Sequence, residues 1–321
     1  MAFPRDTTLA DVGEFGLITE MTKHFSQGEQ VLVGPGDDAA LLRVRQGHVV
    51  VSTDLLVEGR HFRRDWAEAS HIGHRAAGQN LADIAAMGGV AHSMTLGLAP
   101  PPELPAEWAV DFAEGFASEC ALVGASVVGG DVTGADQIVI SVTAIGAVAQ
   151  APVLRSGAEP GDVLALCGRQ GWAAAGLAIL KRGFRSPRVL VDAYRRPQPP
   201  YAAGPAAAAA GASALIDVSD GLLAEARHIA DASEVSIDVH TEALTIPDEL
   251  NAVASATGAD PLAFVLGGGE DHSLLAAFPP DVELPAGWTV IGTIGEPGEP
   301  GGEPVTVDGE VYEGPTGWTH F

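Results

Sequence analysis

The 321-residue chain is 46% apolar, enough for a sizeable core, and its length suits two domains better than one. Its 42 Asp and Glu against 17 Lys and Arg leave a formal charge of −25, which argues against broad contact with nucleic acid or anionic lipid. Neither MAFPRDTTLADVGEF nor the Ala-rich YAAGPAAAAAGASALIDV carries the apolar run of a secretory signal or membrane span, so a cytoplasmic setting is expected.

In chain order, GEFGLITEMTKHF spaces apolar residues helically and predicts a first helix. GPGDDAALL follows, approximating the G-x-G-x-x-A turn that brings backbone amides to a pyrophosphate. Asp37 and Asp38 nevertheless stand where that anion would face, and no ordered strand–turn–helix frame surrounds them, which disfavours a dinucleotide site. HVVVSTD predicts a strand whose last residues, ending in Asp54, reach a loop. SHIGHRAAGQNLADIAAMGG predicts a helix that stops at Gly88-Gly89. HSMTLGLA, ASVVGGD and QIVISVTAIGAV read as strands, with a helix across EWAVDFAEGFASECALVG between the first two.

The turn-rich AQAPVLRSGAEPGD sets a domain boundary, giving domains at 1–150 and 151–321. After it, DVLALC predicts a strand and GWAAAGLAILKRG a helix. ALIDVSDGLLAEARHIADAS predicts a strand running directly into a helix, with Leu222, Leu223, Ala226 and Ile229 on one face. Helix, the glycine-rich LGGGEDHS and further strands complete an α+β arrangement. Cys120 and Cys167, in apolar neighbourhoods, read as free buried thiols.

Carboxylates recur in similar settings along this chain. Asp37 and Asp38 follow Gly36, Asp54 ends HVVVST, Asp131 follows Gly129-Gly130, and Asp217 and Asp220 flank Ser219. Asp83 lies inside a helix three residues after Asn80, so both project from one face. Asp and Gly are also ordinary turn formers, and Asp220 reads equally as a helix cap. Delivery by apolar strands into glycine-rich turns favours a ligand site, and burying such groups costs several kcal/mol each unless cations neutralise them. Mg²⁺ suits an all-oxygen set and shares it with substrate phosphates, and Ser52 and Thr53 add hydroxyls beside Asp54.

Other sites fit less well. The two lysines, Lys23 and Lys181, follow no glycine-rich loop, which removes the G-x-x-x-x-G-K-[ST] phosphate loop and the protein-kinase lysine. His71 and His74 are spaced i, i+3, but no cysteine or further histidine completes a zinc set.

GPGDDAALL, VVSTDLLVEGRHF, QNLADIAAMGG, VVGGDVT, LRSGAEPGD, LIDVSDGL and LGGGED, in this order, with the terminal GWTHF, closely resemble the bacterial thiamine-monophosphate kinase family. That family belongs to the ATP-binding superfamily that includes aminoimidazole ribonucleotide synthetase. The resemblance implies a two-domain α+β fold, a homodimer paired through N-terminal strands, and transfer from ATP to thiamine monophosphate to give thiamine diphosphate. By motif it assigns Asp38, Ser52, Thr53, Asp54, Asp83, Asp131, Asp217 and Asp220 to several Mg²⁺ ions. It assigns Gly130, Asp131, Arg155 and Ser219 to ATP, and His61, Glu270 and Trp318 to the thiamine phosphate.

The implied chemistry needs no general base, because a phosphate monoester with second pKa near 6 is already anionic. Its difficulty is bringing two polyanions together, which cations answer by neutralising and aligning them for in-line displacement. Taken alone, Arg155 reads as surface, His61 as surface or core, Trp318 as packing and Glu270 as a turn residue. Pro35, between the glycines of GPGDD, departs from the small aliphatic residue expected there. Two other readings remain: another enzyme of the superfamily, or a non-catalytic binder of thiamine phosphates. The cysteine-dependent branches fit less well, because no Cys precedes Cys120 and the sequence given closes on THF.

Overall fold

The computed structural model describes residues 31–33, 37–38, 40–44, 47–149, 151–298 and 301–318. The first predicted helix, Pro35 and the last three residues of GWTHF lie outside these.

The first six-stranded sheet comprises β1 (Val31–Val33), β2 (Ala40–Val44), β3 (Gly47–Val57), β4 (Val90–Ala99), β5 (Ser126–Val132) and β6 (Val139–Ala147). Their order is β1-β2-β3-β6-β4-β5. Helix α1 (Ala69–Ala86) precedes β4, and α2 (Ala106–Val123) carries the chain from β4 across to its parallel neighbour β5. Strand β6 shows why one face is covered: Ile140, Val142 and Ala144 are buried while Ser141, Thr143 and Ile145 are half-buried, the period-two signature of a sheet packed on one side. Ile72, Leu81 and Ile84 of α1 meet Phe112 and Phe116 of α2 over that face, each buried side chain contributing about 2 kcal/mol.

The second six-stranded sheet has the order β12-β9-β11-β7-β10-β8. It comprises β7 (Val163–Cys167), β8 (Ala214–Val218), β9 (Ser236–Val239), β10 (Ser273–Phe278), β11 (Trp288–Gly295) and β12 (Val305–Val307). Around it lie α3 (Trp172–Lys181), α4 (Arg188–Arg195), α5 (Ala203–Ala210), α6 (Leu222–Ser233), α7 (Asp248–Thr257) and α8 (Pro261–Gly267). Every residue of β8 and β10 is buried, as their apolar sequences ALIDV and SLLAAF require of strands covered on both faces. The Ala-rich tract resolves into α5 and β8.

Two features position the site. Helix α1 packs against β3 of the first sheet and β8 of the second, so its polar face is shared by both. Strand β3 does not stop at Asp54 as the sequence reading expected. The apolar Leu55, Leu56 and Val57 continue its pairing with β6 to Val57 opposite Val139, which leaves Asp54 in mid-strand opposite Val142.

Candidate active site

Carboxylate oxygens of Asp38, Asp83 and Asp217 lie within 4.8 Å of one another. Three segments deliver them: the turn before β2, the polar face of α1, and the buried strand β8. The β3–α1 contact is tied by two hydrogen bonds. Ser52 Oγ donates to Asp83 Oδ2 at 2.5 Å, and the Asp54 amide donates to Asn80 Oδ1 at 3.2 Å. Asn80 and Asp83, three apart on one helical face, therefore clamp consecutive turns of α1 onto β3.

Crowding acids away from water changes their protonation. Burial pushes Asp38 up to about 8, against the pull of Arg155, with Asp217 and Asp37 adding to the rise. Burial also raises Asp83 well above the usual carboxylate range, and Asp54, Asp217 and Asp38 reinforce it. Asp54 is raised by burial too, opposed by a hydrogen bond from Gln79 and by His272. Asp38 Oδ2 is buried without a hydrogen-bond partner. Such a set suits a hard divalent cation: every donor is oxygen, and cationic charge offsets the burial and the mutual repulsion that raise these pKa values.

Arg155 is a cation of this cluster and not surface. Its side chain is only 18% exposed, with Nη2 paired to Asp38 Oδ1 and Nε 3.5 Å from Asp37 Oδ1. Its amide donates to Asp37 Oδ2, whose other oxygen accepts from the Asp38 amide at 3.0 Å. Asp37 thus holds the turn that aims Asp38.

Opposite, the loop 268–272 lies along the segment leaving β8. The Glu270 amide donates to Ser219 O at 2.8 Å and the His272 amide to Val218 O at 3.2 Å. Gly269 permits this approach, since a Cβ there would sit 2.1 Å from Ser219 O. Glu270 and His272 adopt φ of 73° and 51°, a region non-glycine residues occupy at a cost, as in ligand loops. His272 Nδ1 lies 2.9 Å from Asp217 Oδ2. The buried Arg75 of α1 pairs with Glu270 Oε2 and stacks on Tyr194, 4.7 Å from its ring centre. Buried Glu225 accepts from Ser219 Oγ and the Asp220 amide, both at 3.0 Å, which fixes the start of α6.

Residues 36–148 match the family "AIR synthase related protein, N-terminal domain", and residues 159–299 match its C-terminal counterpart. The chain is 48% identical over 316 residues to the thiamine-monophosphate kinase of Mycobacterium tuberculosis (strain ATCC 25618 / H37Rv), covering 98% of this chain and 93% of that protein. The chain belongs to the thiamine-monophosphate kinase family. The Corynebacterium glutamicum relative of that name is 38% identical, covering 98% and 95%. A solved structure, AaThiL complexed with AMPPCP and TMP, superposes with a TM-score of 0.86 at 32% identity, covering 99% of this chain and all, 100%, of that one.

In this thiamine-monophosphate kinase family member, the residues read from sequence form two groups, with His61, Thr53, Gly130 and Asp131 outside them. Asp38, Ser52, Asp54, Asp83, Arg155 and Asp217 come together as described. Ser219, Asp220, Glu270 and Trp318 form a second group, joined through the Trp318 amide, which donates to Asp220 O at 3.0 Å. Trp318 is 56% exposed. His61 caps the end of β3, its Nδ1 accepting from the Val57 amide at 2.9 Å.

Asp131, Gly130 and Thr53 lie apart from the three-carboxylate group. Asp131 is exposed on edge strand β5, opposite Gly97, which faces Ser141, which faces Leu55. Three strand spacings, roughly 14 Å, separate it from β3. Gly130 has a packing reason of its own, since a Cβ would stand 1.9 Å from Leu96 O of β4. Thr53 points from the sheet face opposite Ser52 and Asp54, bonded to Thr143 Oγ1 at 2.7 Å. Arg75, Glu225 and His272 escaped the sequence reading. Only the "H" of LGGGEDHS offered a signal, and its partner Asp217 lies 55 residues away.

Proposed function

We propose that this protein transfers the γ-phosphoryl group of ATP directly to the phosphate of thiamine monophosphate, in line and with Mg²⁺, giving ADP and thiamine diphosphate. The convergence of Asp38, Asp83 and Asp217 carries the reading, in a chain whose relatives bear that activity in their name. Asp38, Asp83 and Asp217, with Ser52, Asp54 and Asp220, would hold the metal; Thr53, on the opposite sheet face, and Asp131, three strands away, stand clear of it. Mg²⁺ bound there supplies charge neutralisation for phosphate oxygens.

The protein's own groups divide the rest of the task. Arg155, already facing Asp38, adds a guanidinium where the phosphates of ATP would lie, and Ser219 serves the same nucleotide. His61, Glu270 and Trp318 serve the acceptor, the exposed indole face suiting a cationic ring. The acceptor oxygen is anionic near neutral pH, so no residue need remove a proton from it.

The reading extends to organisation. Residues 1–150 form the ATP- and metal-binding half and 151–321 complete the cleft. A homodimer forms through the first sheet, supported by β5, where all seven residues are exposed and Val127, Val128 and Val132 present apolar side chains on an unprotected edge. The reaction runs in the cytoplasm, where Cys120 and Cys167 stay free.

The test is ADP release with thiamine monophosphate against the acceptors of the purine and hydrogenase-maturation branches, with thiamine diphosphate identified as product. ADP release with one of the other acceptors alone would reassign the chain within its superfamily. Thiamine monophosphate binding without turnover would make it a non-catalytic binder.

A further inference from the structure

The cations of this acidic chain are not scattered. Seven of its 17 Lys and Arg side chains fall within residues 169–196, against one acid, Asp192. The segment therefore carries strong positive charge in a chain whose formal net charge is −25.

Contacts place this segment beside the residues proposed to serve the acceptor. Arg169 stacks on Trp172, 4.8 Å from its ring centre, and Asp271 beside Glu270 accepts from the following Ala173 amide at 2.9 Å. Lys181 Nζ lies 5.8 Å from the ring centre of Trp318. Arg185 Nη2 donates to Asp65 O at 3.0 Å, and Arg195 Nε to Trp66 O at 2.6 Å, both on the stretch that follows His61. The segment so runs from Trp318 to the His61 loop, with Arg182, Arg185 and Arg188 exposed between them. Arg188 is 87% exposed even though its Nε pairs with Asp192 Oδ2 at 3.1 Å, and Phe184 adds an exposed ring to the same loop.

A phosphorylated acceptor nearing so acidic a protein meets repulsion unless the approach to its site carries the opposite charge, whose attraction is strongest at low salt. We infer that residues 169–196 form an anion-gathering rim that draws the phosphorylated acceptor into the cleft and disfavours its unphosphorylated, cationic counterpart. The inference deepens the proposed function and rests on it for the identity of the acceptor. The rim acts through charge and orientation during approach and touches no reacting atom.

The test uses the full chain and the triple variant Arg182→Gln, Arg185→Gln, Arg188→Gln. Wild-type kcat/KM for thiamine monophosphate should fall as ionic strength rises from about 0.01 to 0.2 M, as the Debye length shrinks. At the low end the variant should lose roughly five- to tenfold in kcat/KM with kcat unchanged, and converge on wild type at the high end. Its kcat/KM for MgATP should change less than about twofold. Calorimetry should show unphosphorylated thiamine binding the variant no more weakly than wild type.

Parallel salt dependences, or an equal loss for thiamine, would overturn the rim. An equal loss for MgATP would overturn its assignment to the acceptor side. The wild-type salt series needs no variant and decides the matter if the triple variant fails to fold. Should wild type bind thiamine monophosphate with this salt dependence yet form no thiamine diphosphate, the proposed function fails and the rim stands.

Discussion

His272 Nδ1 sits 2.9 Å from Asp217 Oδ2, with both side chains almost fully buried. One oxygen of Asp217 is thereby held from behind while the carboxylate faces Asp38 and Asp83. Outer partners of this kind orient ligating groups, and losing one typically weakens metal affinity about 10–100-fold. His272→Ala should raise the Mg²⁺ concentration for half-maximal rate by about that factor. His272→Asn, which keeps a donor near Nδ1, should recover part of it. A Mg²⁺ titration of ADP release, repeated as Mn²⁺ binding without ATP, checks both. Unaltered Mn²⁺ affinity in His272→Ala would leave the histidine a purely packing role.

Asp83 and Asp54 repel one another and their neighbours when no cation is bound. Asp83→Asn and Asp54→Asn should abolish turnover while leaving the fold intact. Relief of repulsion should also stabilise the chelator-treated protein, by roughly 1 kcal/mol for Asp83→Asn. Paired urea melts and rate assays read both effects. A stable variant with near-normal rate at low Mg²⁺ would remove that aspartate from the metal set.

The chelated protein should lose stability as pH rises from about 4 to 8. Asp38 is pushed up to about 8 by burial, and burial raises Asp54 and Asp83 as well. Between its unfolded value of about 3.9 and its folded one, each acid keeps its proton when folded and loses it when unfolded, so rising pH favours unfolding. His71 and His228, held low by burial, act oppositely but only below their ordinary value of about 6.5. Urea midpoints at pH 5 and pH 8 in EDTA test the sign, and a higher midpoint at pH 8 would refute it. Mg²⁺ uptake at pH 7 should correspondingly release protons, measurable by calorimetry in buffers of different ionisation enthalpy.

Arg75 spans the two halves of the molecule from α1 to Glu270 and Tyr194. With its guanidinium gone, Glu270 keeps its left-handed backbone but loses the partner that orients its carboxylate. Arg75→Met should raise KM for thiamine monophosphate about tenfold with a smaller effect on kcat, the mark of lost ground-state binding. Arg75→Lys should restore part of the loss. A variant with normal KM and lowered kcat would place Arg75 in the chemistry instead.

Legibility in the sequence tracked separation along the chain. Strand and helix faces such as Leu222, Leu223, Ala226 and Ile229 follow from local periodicity, and all four are buried or nearly so. The three carboxylates sit in short motifs, GDD, NLAD and DVSDG, whose local chemistry is visible residue by residue. Arg75, Glu225 and His272 were not visible, because each gains meaning only from a partner brought close by folding. Asp54 shows the opposite failure: a polar STD triplet resembles a strand end, yet pairing with β6 carries the strand three residues further. Gly130 resembles a phosphate contact, and folding adds a backbone reason for its lack of a side chain.

The central claim is that Asp38, Asp83 and Asp217 hold Mg²⁺ at the meeting point of two phosphates. Its most direct measurement is thiamine diphosphate formation at fixed ATP and thiamine monophosphate while free Mg²⁺ is raised past the saturation of ATP. The rate should be nil in EDTA and keep climbing after all nucleotide is MgATP, with Asp83→Asn flat throughout. A wild-type rate that levels off as soon as MgATP saturates, or survives chelation, would mean that these acids hold no working cation.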